Sequence, residues 1–271
     1  MLMSFYKRIA CLSTEAVETL YALGAEDCIV GISGFTVRPA RARAEKPKVS
    51  GFSSSKIERI LAVQPDLVIG FSNLQADICR DLAKVGIEVH LFNQRSMDGI
   101  LQMVRVLAAM VGRIEAGEAL LLQLQQQIDA VRERASDTKP RPHVYFEEWN
   151  DPLMCGIGWV SEAIALAGGT DVFADLACHH DAGRRIIADP GEVIRRSPDI
   201  ILASWCGKKF QPDSMRKRSG WEAIPALQHD KLFEIKSPDI LSPGPSAITE
   251  GLRQIGDIIG NWRNWQKERT S

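Results

Sequence analysis

Ile60-Leu61-Ala62-Val63-Gln64-Pro65-Asp66-Leu67-Val68-Ile69 is answered in the second half of the chain by Val193-Ile194-Arg195-Arg196-Ser197-Pro198-Asp199-Ile200-Ile201-Leu202. Both stretches run amphipathically into a Pro-Asp stop and continue as an unbroken aliphatic run. Proline ends a helix because it lacks the N–H and clashes with the preceding turn. A Val/Ile/Leu run suits a strand buried on both faces. A second pair repeats in the same order: Thr14-Glu15-Ala16-Val17 leads to Leu23-Gly24-Ala25, and Ser161-Glu162-Ala163-Ile164 leads to Ala167-Gly168-Gly169. The halves therefore share an order of elements, which predicts two related lobes with a site between them.

At 271 residues, the chain fits one large domain or two small ones. Its 45% hydrophobic content supplies a core. The net charge of −1 gives no global field to attract nucleic acid or an anionic membrane. The basic cluster Arg38, Arg41, Arg43, Lys46 and Lys48 reads as a solvated loop. No run approaches the roughly 20 apolar residues of a membrane helix. At the N-terminus, Lys7 and Arg8 precede only Ile9-Ala10-Cys11-Leu12, too short for the apolar part of an export signal. The expectation is a cytoplasmic protein, or a periplasmic one whose signal has been removed. Six cysteines are scattered without a Cys-x-x-Cys, as buried thiols in a reducing compartment would be.

Strands are expected at Arg8–Leu12, Ile29–Ile32, Leu67–Phe71 and Glu88–Leu91, and helices at Glu15–Leu23, Lys56–Val63 and Ala76–Val85. Such alternation implies βαβ units and a largely parallel sheet. Leu121, Leu124, Ile128 and Val131 recur at helical spacing in a helix beginning near Glu115. Asp137 to Pro142 reads as a linker. Alternation resumes at His143–Phe146, Ile200–Ser204 and Leu232–Ile235, with a closing helix from Ser246 to Ile259. The predicted fold is α/β: two lobes with mostly parallel sheets, 1–112 and 139–271, joined by a linker helix at 113–138. One helix serving both lobes predicts little lobe closure.

Catalytic templates are missing. There is no phosphate-cradling Gly-rich loop ending in Lys-Ser/Thr, no G-x-S-x-G elbow and no H-E-x-x-H. Gly156-Ile-Gly158 supplies two glycines of a dinucleotide fingerprint without the third, which reads as a tight turn. The aromatic residues say more. Trp149, Trp159 and Trp205 fall beyond strand ends or before helices, where open α/β sheets place ligands. Phe35, Phe52 and Phe71 hold comparable positions in the first half. Each alone would pass as core packing; together they suggest an apolar cleft for a large flat ligand. Lys208 and Lys209, after Trp205, are candidate contacts for polar or acidic ligand groups, and Asp239 is a further candidate contact. In Cys178-His179-His180-Asp181, neighbouring side chains rarely converge on one centre, so a closed zinc site is disfavoured. The sharper reading is His179 or His180 as axial cap on a metal held within a ligand. Ser55-Lys-Ile-Glu58 and Asp189-Pro-Gly-Glu192 fit a capping box, and Glu58 and Glu192 are also candidates for a two-point docking surface.

With Ala22-Leu-Gly-Ala25, Val49-Ser-Gly-Phe52, Ile57-Glu-Arg-Ile-Leu61, Pro65-Asp-Leu-Val-Ile69, Ala167-Gly-Gly169, Val172-Phe173 and Ser242-Pro-Gly-Pro245 in hand, the chain resembles the cobalamin-binding proteins of ABC importers. These belong to the class III, single-helix-linker substrate-binding superfamily. The resemblance covers nearly the whole chain and implies no catalysis and no intrinsic cofactor. It implies a monomer that holds a corrinoid between its lobes and delivers it to an ABC permease. It places Phe35, Phe52, Phe71 and Trp149 near the ligand, and Glu58 and Glu192 against permease arginines. Haem or a ferric siderophore is the alternative ligand on this scaffold, a siderophore needing cations such as Lys208, Lys209 and Arg184. A cytoplasmic tetrapyrrole-handling enzyme or chaperone is the alternative of a different class.

Overall fold

The computed structural model describes residues 5–135 and 139–270. The N-terminal Met1–Ser4 and the linker residues Ser136, Asp137 and Thr138 lie outside the described residues. Two compact units emerge: 1–94 with 98–124 and 243–245, and 95–97 with 125–242 and 246–271. The changeover falls within the helix Ile114–Ala135.

The first unit holds β1 (Ile9–Cys11), β2 (Ile29–Ser33), β3 (Lys48–Ser50), β4 (Leu67–Phe71) and β5 (Val89–Phe92). They form one sheet, ordered β3-β2-β1-β4-β5, in which every pairing is parallel. Ala10, Leu12, Val49, Ile60, Val68, Ile78 and Leu82 close one face of it. The second unit holds β6 (His143–Asn150), β7 (Leu153–Cys155), β8 (Thr170–Asp171), β9 (Ile200–Ala203) and β10 (Leu232–Glu234). Its sheet runs β10-β9-β6-β7, with β8 also on β6. The β6–β7 pair is antiparallel and the others are parallel. The core there gathers Tyr145, Phe173, Val193, Ile201, Met215 and Trp221.

The Pro-Asp repeat does the same work in both units. Gln64 and Ser197, each just before its proline, both sit at φ 46°, so each helix ends in a left-handed turn. The following aspartate then fastens the start of a central strand. The Asp66 carboxylate accepts from the N–H groups of Lys7 (2.8 Å) and Arg8 (3.0 Å), and its own N–H donates to the Arg8 carbonyl. The Asp199 carboxylate accepts from His143 N–H at 2.8 Å, and its N–H donates back to the His143 carbonyl.

The helix expected to begin near Glu115 runs Ile114–Ala135 and is preceded by a separate helix, Met97–Met110, with Gly112 at a left-handed φ of 64° between them. Two expectations shift. The closing helix starts as a π turn over Ala247–Leu252 and then runs from Arg253 to Thr270. Neither capping box forms. Ser55 bonds the Val49 and Lys56 carbonyls instead of capping. Asp189 does receive Gly191 N–H at 2.9 Å, but Glu192 turns to Arg195 at 2.7 Å rather than back to the backbone. Among the described residues, no helix is long and apolar enough to cross a membrane.

Candidate functional site

In the first unit, the loops leaving the carboxyl ends of β2, β3 and β4 carry the candidate aromatic residues. Phe35 is 62% exposed and Phe52 is 38% exposed, values far above those of core phenylalanines. Their rings meet edge-on, with centroids 6.3 Å apart. Phe71 differs: it ends β4 with its side chain buried, so it packs the sheet.

Polar ties hold these loops. Ser33 Oγ accepts Phe35 N–H at 3.2 Å and bonds the Gly51 carbonyl at 3.3 Å. Arg43 donates from Nη1 to the carbonyls on both sides of Phe35, Gly34 at 2.9 Å and Thr36 at 2.7 Å. One arginine of the basic cluster is thus a brace for the Phe35 loop. Gln75, fully buried, reaches three loops at once: its Oε1 accepts Phe71 N–H at 2.9 Å, and its Nε2 donates to the carbonyls of Leu12 (3.2 Å) and Phe52 (2.7 Å).

In the second unit, β6 ends in Glu147-Glu148-Trp149-Asn150. Glu147 is fully buried and accepts four bonds. Arg218, 18% exposed, donates to both of its oxygens at 2.6 and 2.9 Å. Trp205 Nε1 donates at 2.9 Å and Tyr145 OH at 3.1 Å. Burial, then the Glu147 charge, holds the Tyr145 hydroxyl well above the usual phenol range, so it remains a donor. Trp205 is only 2% exposed and packs edge-on against Phe210. Its indole thus has no open face for stacking; it anchors the Glu147 carboxylate. Lys208 Nζ lies 5.2 Å from the Trp205 ring centroid and 5.7 Å from that of the half-buried Trp149, and it donates to Asn150 Oδ1 at 3.3 Å. Trp149 Nε1 donates to the Asp151 carbonyl at 2.7 Å, fixing the ring. Trp159 is buried, its Nε1 donating to the Ile240 carbonyl at 2.7 Å.

The remaining candidates lie on other segments. Asp239, in the short helix Ser237–Ile240, accepts from Gln254 Nε2 at 3.0 Å. His179 and His180 follow the turn Ala174–Ala177, and Lys209 and Arg184 are exposed. No group of three His, Cys, Asp or Glu side chains among the described residues is placed to hold a metal ion. Glu58 is exposed on the helix Ile57–Leu61. Glu192 pairs with Arg195 at 2.7 Å and Arg196 at 3.5 Å, and the Arg195 hydrogen bond holds its carboxyl below the usual range.

Gln75, Arg43, Glu147 and Arg218 were not legible as site residues. Their roles depend on partners distant in sequence, and no short motif encodes those contacts.

Residues 9–238 match the periplasmic binding protein family. A vitamin B12-binding protein of Vibrio campbellii is 26% identical over 251 residues, covering 90% of this chain and 87% of the relative. Among solved structures, the periplasmic heme-binding protein RhuT of Roseiflexus sp. RS-1 superposes with a TM-score of 0.79 at 24% identity, covering 93% of this chain and 99% of that one. The periplasmic vitamin B12-binding protein BtuF of Vibrio cholerae gives a TM-score of 0.77 at 21% identity, covering 95% and 98%. These likenesses show the shared α/β fold. The chain belongs to the periplasmic binding protein family.

Proposed function

We propose that the protein is a non-catalytic binding protein for a cobalamin-like corrinoid, which it delivers to an ABC importer. The observation that carries the reading is the exposed Phe35–Phe52 pair on adjacent carboxyl-edge loops. Exposed phenylalanines are costly in water and suit the broad apolar face of a macrocycle. Relatives named for vitamin B12 or cobalamin support the choice of ligand. In this reading Phe35, Phe52 and Trp149 contact the macrocycle, Lys208 and Asp239 meet polar rim groups, and His179 or His180 caps the ligand's metal. Phe71 and Trp205, being buried, support those contacts from behind. The lobes are assigned to 1–112 and 139–271 and the linker to 113–138, with a monomer acting in the periplasm. Glu58 and Glu192 dock the permease, Glu192 first giving up Arg195.

Calorimetry and visible-absorbance titration with cyanocobalamin test the reading. One site per chain is expected, with binding at micromolar or lower concentration. Silence there, together with saturable binding of haemin, would transfer the assignment to haem, the second reading suggested by the heme-binding structural relative. An unchanged ligand spectrum when both His179 and His180 are replaced by alanine would remove the axial role. Glu58→Lys should weaken permease-dependent uptake while leaving cyanocobalamin affinity unchanged.

A further inference from the structure

We infer that Gln75 is a positioning residue for ligand binding: it touches no ligand, yet sets affinity by locking the Phe52 loop before the ligand arrives. The inference rests on the corrinoid reading for its affinity test, but not for its structural test.

Gln75 is placed by an unusual turn. Ser72 follows β4 at φ 66° and ψ 166°, a region that residues with a side chain rarely occupy. Such strain persists only where the surroundings over-determine it, and it concentrates at functional sites. Here Ser72 N–H donates to the Phe92 carbonyl at 2.8 Å, and its Oγ accepts Leu74 N–H at 3.3 Å. Gln75 N–H then donates back to the Ser72 carbonyl at 3.1 Å, and the side chain turns under the sheet edge. Gly70 leaves the room: a Cβ there would lie 2.9 Å from Gln75 Oε1.

The three partners dictate how the amide is oriented. Phe71 offers an N–H, so it must face the oxygen; Leu12 and Phe52 offer carbonyls, so they must face the nitrogen. Both amide hydrogens are used, and one side chain joins the ends of β1, β3 and β4. Phe52 lies in the small turn closed by the Gly51 N–H to Ser54 carbonyl bond of 2.8 Å. Its carbonyl would otherwise be free to reorient the turn and with it the ring. A loop ordered in advance loses less freedom on binding, and that difference appears as affinity.

The test compares wild type, Gln75→Glu, Phe52→Ala and the double variant. Glutamate keeps the acceptor for Phe71 but has no hydrogen for Leu12 or Phe52 when ionised, and one for the two of them when protonated. Gln75→Met, uncharged and of similar length, serves in its place if Gln75→Glu does not fold. Hydrogen exchange of the unliganded protein should quicken at Gly51–Ser54 when Gln75 is replaced. The dissociation constant for cyanocobalamin should rise about tenfold, and most of that rise should vanish in the Phe52→Ala background. Unchanged exchange at Gly51–Ser54 overturns the inference, as does an equal affinity penalty with and without Phe52. A wild-type protein that binds no cyanocobalamin refutes the corrinoid reading instead, and the exchange comparison still decides the role of Gln75.

Discussion

Replacing Arg218 by methionine should destabilise the second unit much more than replacing the carboxylate it pairs with. Glu147 is fully buried, whereas Arg218 keeps 18% of its side chain in solvent. Arg218→Met removes two charge-assisted bonds at 2.6 and 2.9 Å and leaves a buried carboxylate with only Trp205 and Tyr145 as donors. Breaking a buried pair from one side costs about 3–5 kcal/mol. The partial exposure of Arg218 lets water take over some of its role, which points to the lower end, about 3 kcal/mol. Loss of the guanidinium from its place 4.4 Å over the Trp221 ring adds about 0.5–1 kcal/mol. Glu147→Gln keeps the shape and leaves the cation on the solvated side, so about 1–2 kcal/mol is expected. The double variant Glu147→Met/Arg218→Met, which buries no charge, should cost less than the sum of the two single changes. Urea unfolding followed by tryptophan fluorescence measures all of these, since Trp205 and Trp221 both touch the network. Equal costs for Arg218→Met and Glu147→Gln, or a cost below about 1 kcal/mol for Arg218→Met, would refute the assignment of this pair as a buried, mutually dependent ion pair.

Gly158→Ala should be destabilising by about 2 kcal/mol or more, because an added Cβ would overlap the Arg95 carbonyl oxygen and backbone cannot move aside as a side chain can; thermal unfolding reads it directly. Asp171 gives a pH prediction. Burial raises its pKa in the folded protein despite hydrogen bonds from Ser161 and Phe173 N–H. The folded state therefore holds this proton more tightly than the unfolded state, and ionising the carboxyl costs stability as pH rises through the folded pKa. Asp171→Asn should thus gain stability relative to wild type as pH rises from the ordinary carboxyl range through the raised folded pKa, and a difference that shrinks over that rise would contradict the sign. Phe35→Ala and Phe52→Ala should each weaken cyanocobalamin binding by about tenfold with little loss of stability, since both rings are exposed, and a binding titration beside a melting curve separates the two effects.

What the sequence made legible was periodic or punctuated. Leu67–Phe71 is found where the aliphatic run predicts it, and the flanking helices agree to within a residue or two, because burial on both faces leaves its mark on every position. The left-handed turns at Gln64 and Ser197 were hidden, since no glycine marks them. The repeat disclosed the duplication but not its purpose, because an aspartate that grips the first strand from nearly 60 residues away looks like any turn aspartate. The same limit governs the site. Exposed aromatic residues after strands can be picked out one by one, which is how Phe35 and Phe52 came to notice. Whether such a ring faces solvent or core depends on the next loop, and that is where Trp205 and Phe71 parted from them. Trp205 was drawn inward by a carboxylate on the neighbouring strand β6, a contact no local pattern encodes. A fold can therefore be read from signals repeated along the chain, whereas a site is assembled from single long-range bonds. The side chains that make those bonds, Gln75, Arg43 and Arg218, are the ones whose replacement should separate how well the protein folds from how well its loops are poised.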